Sequence, residues 1–216
     1  MTSHQPAVDD EFIVAHTRDC SLRDGTRIRL RPMAADDKER LQAGFERLSP
    51  DSRYRRFLAP TGVLTERMLR YFTEIDYNDH FAWAALSLDE PGEPGIAVAR
   101  YVRDRPGSDV AEPAVAVIDD YQGRGLGSLL LRLLTASAVA NGVKRFRATL
   151  MRDNRPMYNL FAEAGGTFVT ETAGLLRAEV ELPTCELARA ELLDSLLRHS
   201  CDGAADAARR VLTGVD

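Results

Sequence analysis

Three glycines stand at alternate positions, Gly123, Gly125 and Gly127, with apolar segments on both sides of them. Residues 114–118 predict a short strand before the glycines, and residues 129–143 predict a helix directly after them. Glycine permits positive φ angles and lets a ligand approach the main chain closely. The first N–H groups of a helix lack partners within the helix and lie at its positive end, so this arrangement predicts an anion site. A pyrophosphate group is the ligand we expect there.

Spacing distinguishes three nucleotide-binding patterns at this loop. A Walker A loop requires Gly-Lys-Ser/Thr, but this loop ends in Gly127-Ser128-Leu129 and lacks the lysine. A dinucleotide fingerprint requires Gly or Ala where Ser128 stands. The pattern Gln-x-x-Gly-x-Gly is matched in full by Gln122, Gly125 and Gly127. A glycine-rich turn that only caps a helix is the alternative without a ligand.

With this motif the region resembles the acyl-CoA pyrophosphate loop of the GNAT family of N-acetyltransferases. Segments 29–32, 53–57, 99–103 and 120–125 look like the acetyltransferase domain of bacterial protein lysine acetyltransferases. The resemblance implies an α/β fold (an α+β mixed sheet) over roughly residues 25–183, with acetyl-CoA as acyl donor and no metal. The donor would then contact the following residues: Val115, Val117, Gln122, Gly123, Arg124, Gly125, Leu126, Gly127, Ser128 and Asn154.

Amide formation from a thioester requires a neutral amine. A free lysine has a pKa near about 10.4, so its neutral form costs about 4 kcal/mol at pH 7.4. A nearby carboxylate can accept the proton during attack, which is worth on the order of 10²–10⁴ in rate. In the branch that the chain resembles, a glutamate at the place of Glu112 is this general base, and the resemblance assigns that role to Glu112. An exposed carboxylate at a strand end is the alternative. Pro113 follows where the branch usually has an ordinary apolar residue.

Several other polar and aromatic positions also carry expectations. Phe161 stands where many small-molecule acetyltransferases place a tyrosine that acts as general acid, so no general acid is assigned. His80 is expected to be structural, at the start of a strand, while Asp76 and Asp79 would line the acceptor cleft. Arg124 would add charge to the phosphate site. The basic run at 52–57 is expected to be a solvated helix face.

Composition limits the class of protein. The 216 residues are 44% hydrophobic and 28% charged, and the net charge of −5 argues against a general nucleic-acid binder. The first twelve residues do not resemble a signal peptide, and no apolar stretch is long enough to span a bilayer. Three widely spaced cysteines favour a reducing compartment, so a cytoplasmic protein is expected.

Three segments are expected along the chain. Residues 1–22 would form a loosely ordered lead-in, 23–183 the acetyltransferase domain, and 184–216 two extra amphipathic helices. These helices would either pack on the domain or join two copies into a homodimer. The expected activity is acetyl transfer to a primary amine, on a protein lysine or a small molecule. A non-catalytic acyl-CoA-binding regulator is the hypothesis from another class. A dinucleotide-dependent oxidoreductase ranks third because too few strands follow the loop.

Overall fold

A single eight-stranded sheet organises the chain, in the order β1-β2-β3-β4-β5-β6-β8-β7. The structure, a computed structural model, describes residues 6–184, with side chains from residue 10 onward. Neighbouring strands are antiparallel except β5 and β6, which are parallel. The strands are β1 (Arg18–Ser21), β2 (Arg27–Pro32), β3 (His80–Ser87), β4 (Gly95–Arg103), β5 (Val110–Val117), β6 (Arg145–Met151), β7 (Thr167–Thr170) and β8 (Leu175–Glu181).

Helices cover both faces of this sheet. Gly127, in the first turn of α5, lies against the side chains of Val115 and Val117, while Ala116 faces α2 and α3 on the other side. Within residues 6–184, no helix is both long and apolar enough to cross a bilayer. The helices are α1 (Pro6–Ala15), α2 (Lys38–Glu46), α3 (Pro50–Phe57), α4 (Glu66–Thr73), α5 (Leu126–Ala140) and α6 (Arg155–Glu163).

The core lies where α5 packs on β3 and β4. Leu130, Leu133 and Leu134 of α5 are fully buried, and so is Trp83 of β3. Each such leucine contributes about 1.5–3 kcal/mol by leaving water. Trp83 donates its indole N–H to the hydroxyl of Ser137 over 2.9 Å, so its polar atom is satisfied in the core. This packing fixes the N-terminus of α5 at the end of β5, as the strand–loop–helix pattern predicted.

The N-terminal segment differs from the expected lead-in. Residues 6–21 form a helix and an edge strand, and β1 pairs with β2 from Arg18↔Leu30 onward. The ring of Phe12 meets that of Phe81 edge-on, with centroids 6.2 Å apart. Both contacts join this segment to the sheet and its core. The two helices expected in 184–216 lie outside the described residues.

Candidate active site

Strands β5 and β6 are neighbours in the sheet, but they pair only at Val110↔Arg145 and Ala111↔Phe146. Beyond these pairs β5 remains paired with β4, and β6 remains paired with β8, to the ends of the strands. Because each strand follows its outer neighbour, a gap opens between β5 and β6. The glycine loop lies at the end of β5, beside this gap.

Main-chain groups of β5 line the gap at every second residue. The N–H of Ile118 donates to the carbonyl of Ile96 in 3.0 Å, which marks the even-numbered residues as those that bond to β4. The odd-numbered residues therefore turn their N–H and C=O groups toward the gap. Val115 and Val117 both present an N–H there.

Pro113 occupies the first odd-numbered position after the last β5–β6 pair. Proline has no N–H, so this residue cannot donate a ladder hydrogen bond to β6. On the other side its neighbours Glu112 and Ala114 remain in register with Val102 and Arg100 of β4. The proline thus stands where the two strands part, and its missing donor fits the geometry of the opening.

The glycine loop presents its main chain to open space. Gly123 and Gly125 have φ angles of +75° and +83°, which favour glycine. A Cβ atom placed on either residue would meet nothing within 4 Å. Gly125 is the N-cap of α5 and supplies no side-chain cap, so the first N–H groups of the helix stay open to a ligand. This geometry suits the predicted anion site.

A cleft of about 670 Å³ runs from the glycine loop along the gap, within the usual range of ligand sites. Residues of β5, α3, β6 and α6 form its walls. Contact with an acyl donor remains a prediction for each residue. The predicted residues that line the cleft are Glu112, Val115, Val117, Gln122, Gly123, Gly125, Gly127, Ser128 and Asn154.

Arg124 and Leu126 do not line this cleft. The Arg124 guanidinium donates to the hydroxyl of Thr26 in 3.0 Å and to the carbonyl of Asp120 in 2.7 Å. It also lies 3.3 Å from the carboxylate of Asp24. Leu126 is 1% exposed. In this structure the charge of Arg124 is directed at the turn before β2, and not at the cleft as the sequence suggested.

Helix α3 contributes residues that sequence reasoning missed. Arg55, Arg56 and Phe57 line the cleft, although the run 52–57 was expected to be a solvated face. Asp119, which follows β5, holds this helix by accepting from the main-chain N–H and the hydroxyl of Ser49, at 2.9 and 2.7 Å. Burial alone would raise the pKa of Asp119, but hydrogen bonds from Ser49 and Ser52 leave that pKa below its ordinary value. The Ser49-Pro50 break signalled the helix start, but no local pattern signalled which face meets the cleft.

Asp76 and Asp79 do not line the cleft between β5 and β6, and their place in an acceptor cleft stays a prediction. One oxygen of Asp76 accepts from three successive N–H groups of the turn, including that of His80. Asp79 lies 3.0 Å from the guanidinium of Arg103. Asp76 therefore stabilises the turn before β3, whose main chain supplies its donors, whereas Asp79 joins that turn to Arg103 and to the N–H of Gly107.

His80 begins β3 and is buried, in agreement with the structural role expected for it. Its Nε2 lies 3.1 Å from Nη1 of Arg100, which also donates to the carbonyl of Phe72 in 3.3 Å. Burial, together with the positive charge of Arg100, lowers the pKa of His80 to about 3. The imidazole is therefore neutral at pH 7, and Nε2 accepts the hydrogen bond.

Glu112 and Asn154 lie at opposite sides of the cleft. Glu112 is exposed, on the face of β5 that meets α3. Asn154 caps α6 by accepting from the N–H of Met157 over 3.3 Å. Farther along α6, Phe161 is buried, and the ring of Tyr158 stacks on Phe168 with centroids 4.2 Å apart. Tyr158 thus packs, and no general acid is assigned.

The model of the acetyltransferase (GNAT) family matches residues 46–166, more than half of the chain. This chain belongs to the GNAT family. Acetyltransferase Pat of Mycolicibacterium smegmatis is 36% identical over 196 residues, which cover 90% of this chain and 56% of that protein. The chain thus spans little more than half the length of Pat.

Solved structures show the same GNAT fold. The GNAT domain of S. lividans PAT is 36% identical and superposes with a TM-score of 0.70. The match covers 77% of this chain and 97% of that one. A cAMP-binding acyltransferase from Mycobacterium smegmatis is 32% identical, with a TM-score of 0.58, covering 94% of this chain and 63% of that one. The mixed-sheet fold expected from the sequence is confirmed.

Proposed function

We propose that this GNAT domain transfers an acetyl group from acetyl-CoA to a primary amine, with a protein lysine as the acceptor. The gap between β5 and β6 carries this proposal, because it connects the glycine loop with Glu112. A strand rise of about 3.3 Å per residue puts Glu112 roughly 17 Å from Val117. A pantetheine arm that extends from the loop along β5 would bring its thioester toward Glu112.

Each step of the proposed transfer can be assigned to a group of this domain. Main-chain N–H groups of the glycine loop, at the N-terminus of α5, would hold the diphosphate of the donor. The N–H of Val115 would donate to the thioester oxygen as negative charge develops on it. Glu112 would accept the proton of the amine while the C–N bond forms. The C–S bond then breaks, and a thiolate needs little help to leave because thiols titrate near about 8.5.

The exposure of Glu112 supports a protein acceptor. A lysine side chain on the surface of another protein can reach a base that lies open to solvent. The similarity to Pat over 90% of this chain, together with the resemblance to protein lysine acetyltransferases, favours the same acceptor. The three widely spaced cysteines lead us to propose the cytoplasm as the compartment.

Two measurements test this proposal. Calorimetry should detect binding of coenzyme A, and absence of binding at millimolar coenzyme A would contradict the donor site. Incubation with acetyl-CoA and either a cell lysate or a panel of small amines should then modify protein lysines in preference to free amines. Turnover of free amines without lysine modification would overturn the protein acceptor. Binding without any turnover would indicate a regulator.

A further inference from the structure

A cavity of about 70 Å³ lies behind α3, between helices α2–α4 and the sheet. It shares Leu48, Arg56, Phe57 and Ala116 with the donor cleft, so the two spaces are neighbours. Most of its lining is apolar, but Arg56 and Arg100 also line it, together with the paired Asp37 and Arg40. A mainly apolar cavity with two cations besides that ion pair suits a ligand that has an apolar stem and an anionic end.

No carboxylate compensates these two arginines at ion-pair distance among the residues that the structure describes. Arg100 is 4% exposed, and its two hydrogen-bond acceptors, the Phe72 carbonyl and the neutral His80 ring, carry no charge. Arg56 makes neither a hydrogen bond nor an ion pair within the described side chains. The carboxylate in the cavity lining, Asp37, is already paired with Arg31 and Arg40.

Burying a cation without an anion is costly, so the charge of the buried Arg100, and to a lesser degree that of the half-buried Arg56, destabilises the site as it stands. Burial lowers the pKa of Arg100 to about 9, and the charge of Arg56 acts in the same direction. Burial also lowers the pKa of Arg56, and the more distant carboxylate of Glu112 only partly opposes this effect. An anion between the two guanidinium groups would relieve both penalties.

We propose that Arg56 and Arg100 form a subsite for a carboxylate at the end of the acyl chain, so that the domain accepts a dicarboxylic donor such as succinyl-CoA. This inference rests on the proposed function, because the donor must first occupy the cleft. Arg100 lies opposite Ala114 in the β4–β5 register, and Ala116 follows on the same face. These two small residues leave room for an acyl chain to pass over β5 from the gap to the arginines.

The transfer itself is unchanged by this subsite. The amine nitrogen bonds to the carbonyl carbon of the acyl group, the C–S bond breaks, and the amine proton passes to Glu112. Coenzyme A leaves as the thiol after it takes up a proton. The terminal carboxylate stays ionised between the arginines and takes no part in bond making, so the product is an N-succinyl amine.

Succinyl-CoA and butyryl-CoA provide a matched test, because their acyl groups have four carbons each and differ in the terminal carboxylate. Analogues with a methylene group between sulfur and carbonyl resist hydrolysis and allow calorimetry. We expect the succinyl analogue to bind on the order of 10–100-fold more tightly than the butyryl analogue. Arg56→Met should reduce this ratio to below about threefold. The control Arg70→Met, on the exposed side of α4, should keep the full ratio.

Three results would overturn the subsite. One is equal or weaker binding of the succinyl analogue to the wild-type protein. Another is that the ratio of succinyl to butyryl affinity stays at its wild-type value in both Arg56→Met and Arg100→Met. If Arg100→Met does not fold, the result for Arg56→Met alone decides. The third is that the two donors bind alike, while the wild-type protein prefers acceptors with a carboxylate beside the amine and Arg56→Met loses this preference. The arginines would then recognise the acceptor. Failure of coenzyme A itself to bind would instead contradict the proposed function.

Discussion

The side-chain amide of Gln122 donates to the main-chain carbonyl of Val117 in 3.0 Å. Val117 is the last residue of β5, and its carbonyl faces the gap, where β6 is too far away to bond. The same amide nitrogen lies 3.3 Å from the hydroxyl of Ser52. Gln122 thereby connects the end of β5, the glycine loop and helix α3.

Replacing Gln122 with alanine should loosen this connection. We expect Gln122→Ala to lower the free energy of unfolding by about 1 kcal/mol and to weaken coenzyme A binding roughly 5–20-fold, because one side-chain hydrogen bond is lost and the loop becomes less ordered. Urea unfolding and calorimetry measure the two effects. Gln42→Ala removes a hydrogen bond to Glu46 within α2 and is the control, since it should leave coenzyme A affinity unchanged. Equal affinity in both variants would contradict the role of Gln122.

Gly125 and Gly142 lie at the two ends of α5 and offer a matched pair. Their φ angles are +83° and +81°, and a Cβ atom on either meets nothing within 4 Å. Alanine should therefore destabilise the fold by about 1–2 kcal/mol at each position, through the backbone alone. Only Gly125→Ala puts a methyl group into the cleft, so only this variant should lose coenzyme A affinity, by roughly tenfold or more. Parallel losses of affinity in the two variants would argue against the glycine loop as the diphosphate site.

The glycine loop could be predicted because its pattern is local, whereas the position of α3 could not. Asp119 turns α3 toward the cleft, and its partner Ser49 is 70 residues earlier in the chain. The partners of Arg124 are equally remote, since Thr26 lies 98 residues before it. Strand β1 carries only the sequence Arg-Asp-Cys-Ser, without apolar alternation, and it forms because β2 offers an edge to pair with. Contacts of this kind are decided by the tertiary structure.

The general-base role assigned to Glu112 predicts a separation of catalysis from binding. Glu112→Gln keeps the shape of the side chain but removes its basicity, so kcat should fall by about 10²–10⁴ while coenzyme A affinity stays the same. Steady-state rates and calorimetry on the same preparations test this. Glu39→Gln, an exposed change on α2, should leave both quantities at wild-type values. Wild-type turnover in Glu112→Gln would remove this residue from the mechanism.

His80 predicts a specific dependence of stability on pH. Its pKa is about 3 in the folded protein, so between pH 6.5 and about 3 the unfolded chain binds a proton here that the folded chain does not. The stability of the wild-type protein should therefore fall as the pH decreases through this interval. His80→Gln is neutral throughout and can still accept from Arg100, so it should lose less stability on acidification. Urea unfolding at pH 7 and pH 4.5 measures the difference, and equal losses would show that His80 is protonated within the fold.

The gap between β5 and β6 has one cause in the covalent structure of the chain, the ring of Pro113. Since this residue has no N–H to donate to β6, one hydrogen bond that would join the two strands is missing, and the opening does not depend entirely on a ligand to hold it apart. Little rearrangement should then accompany donor association, and more of the contact energy should appear as affinity. Replacing Pro113 with a residue that has a main-chain N–H would test whether the gap closes when no ligand is bound.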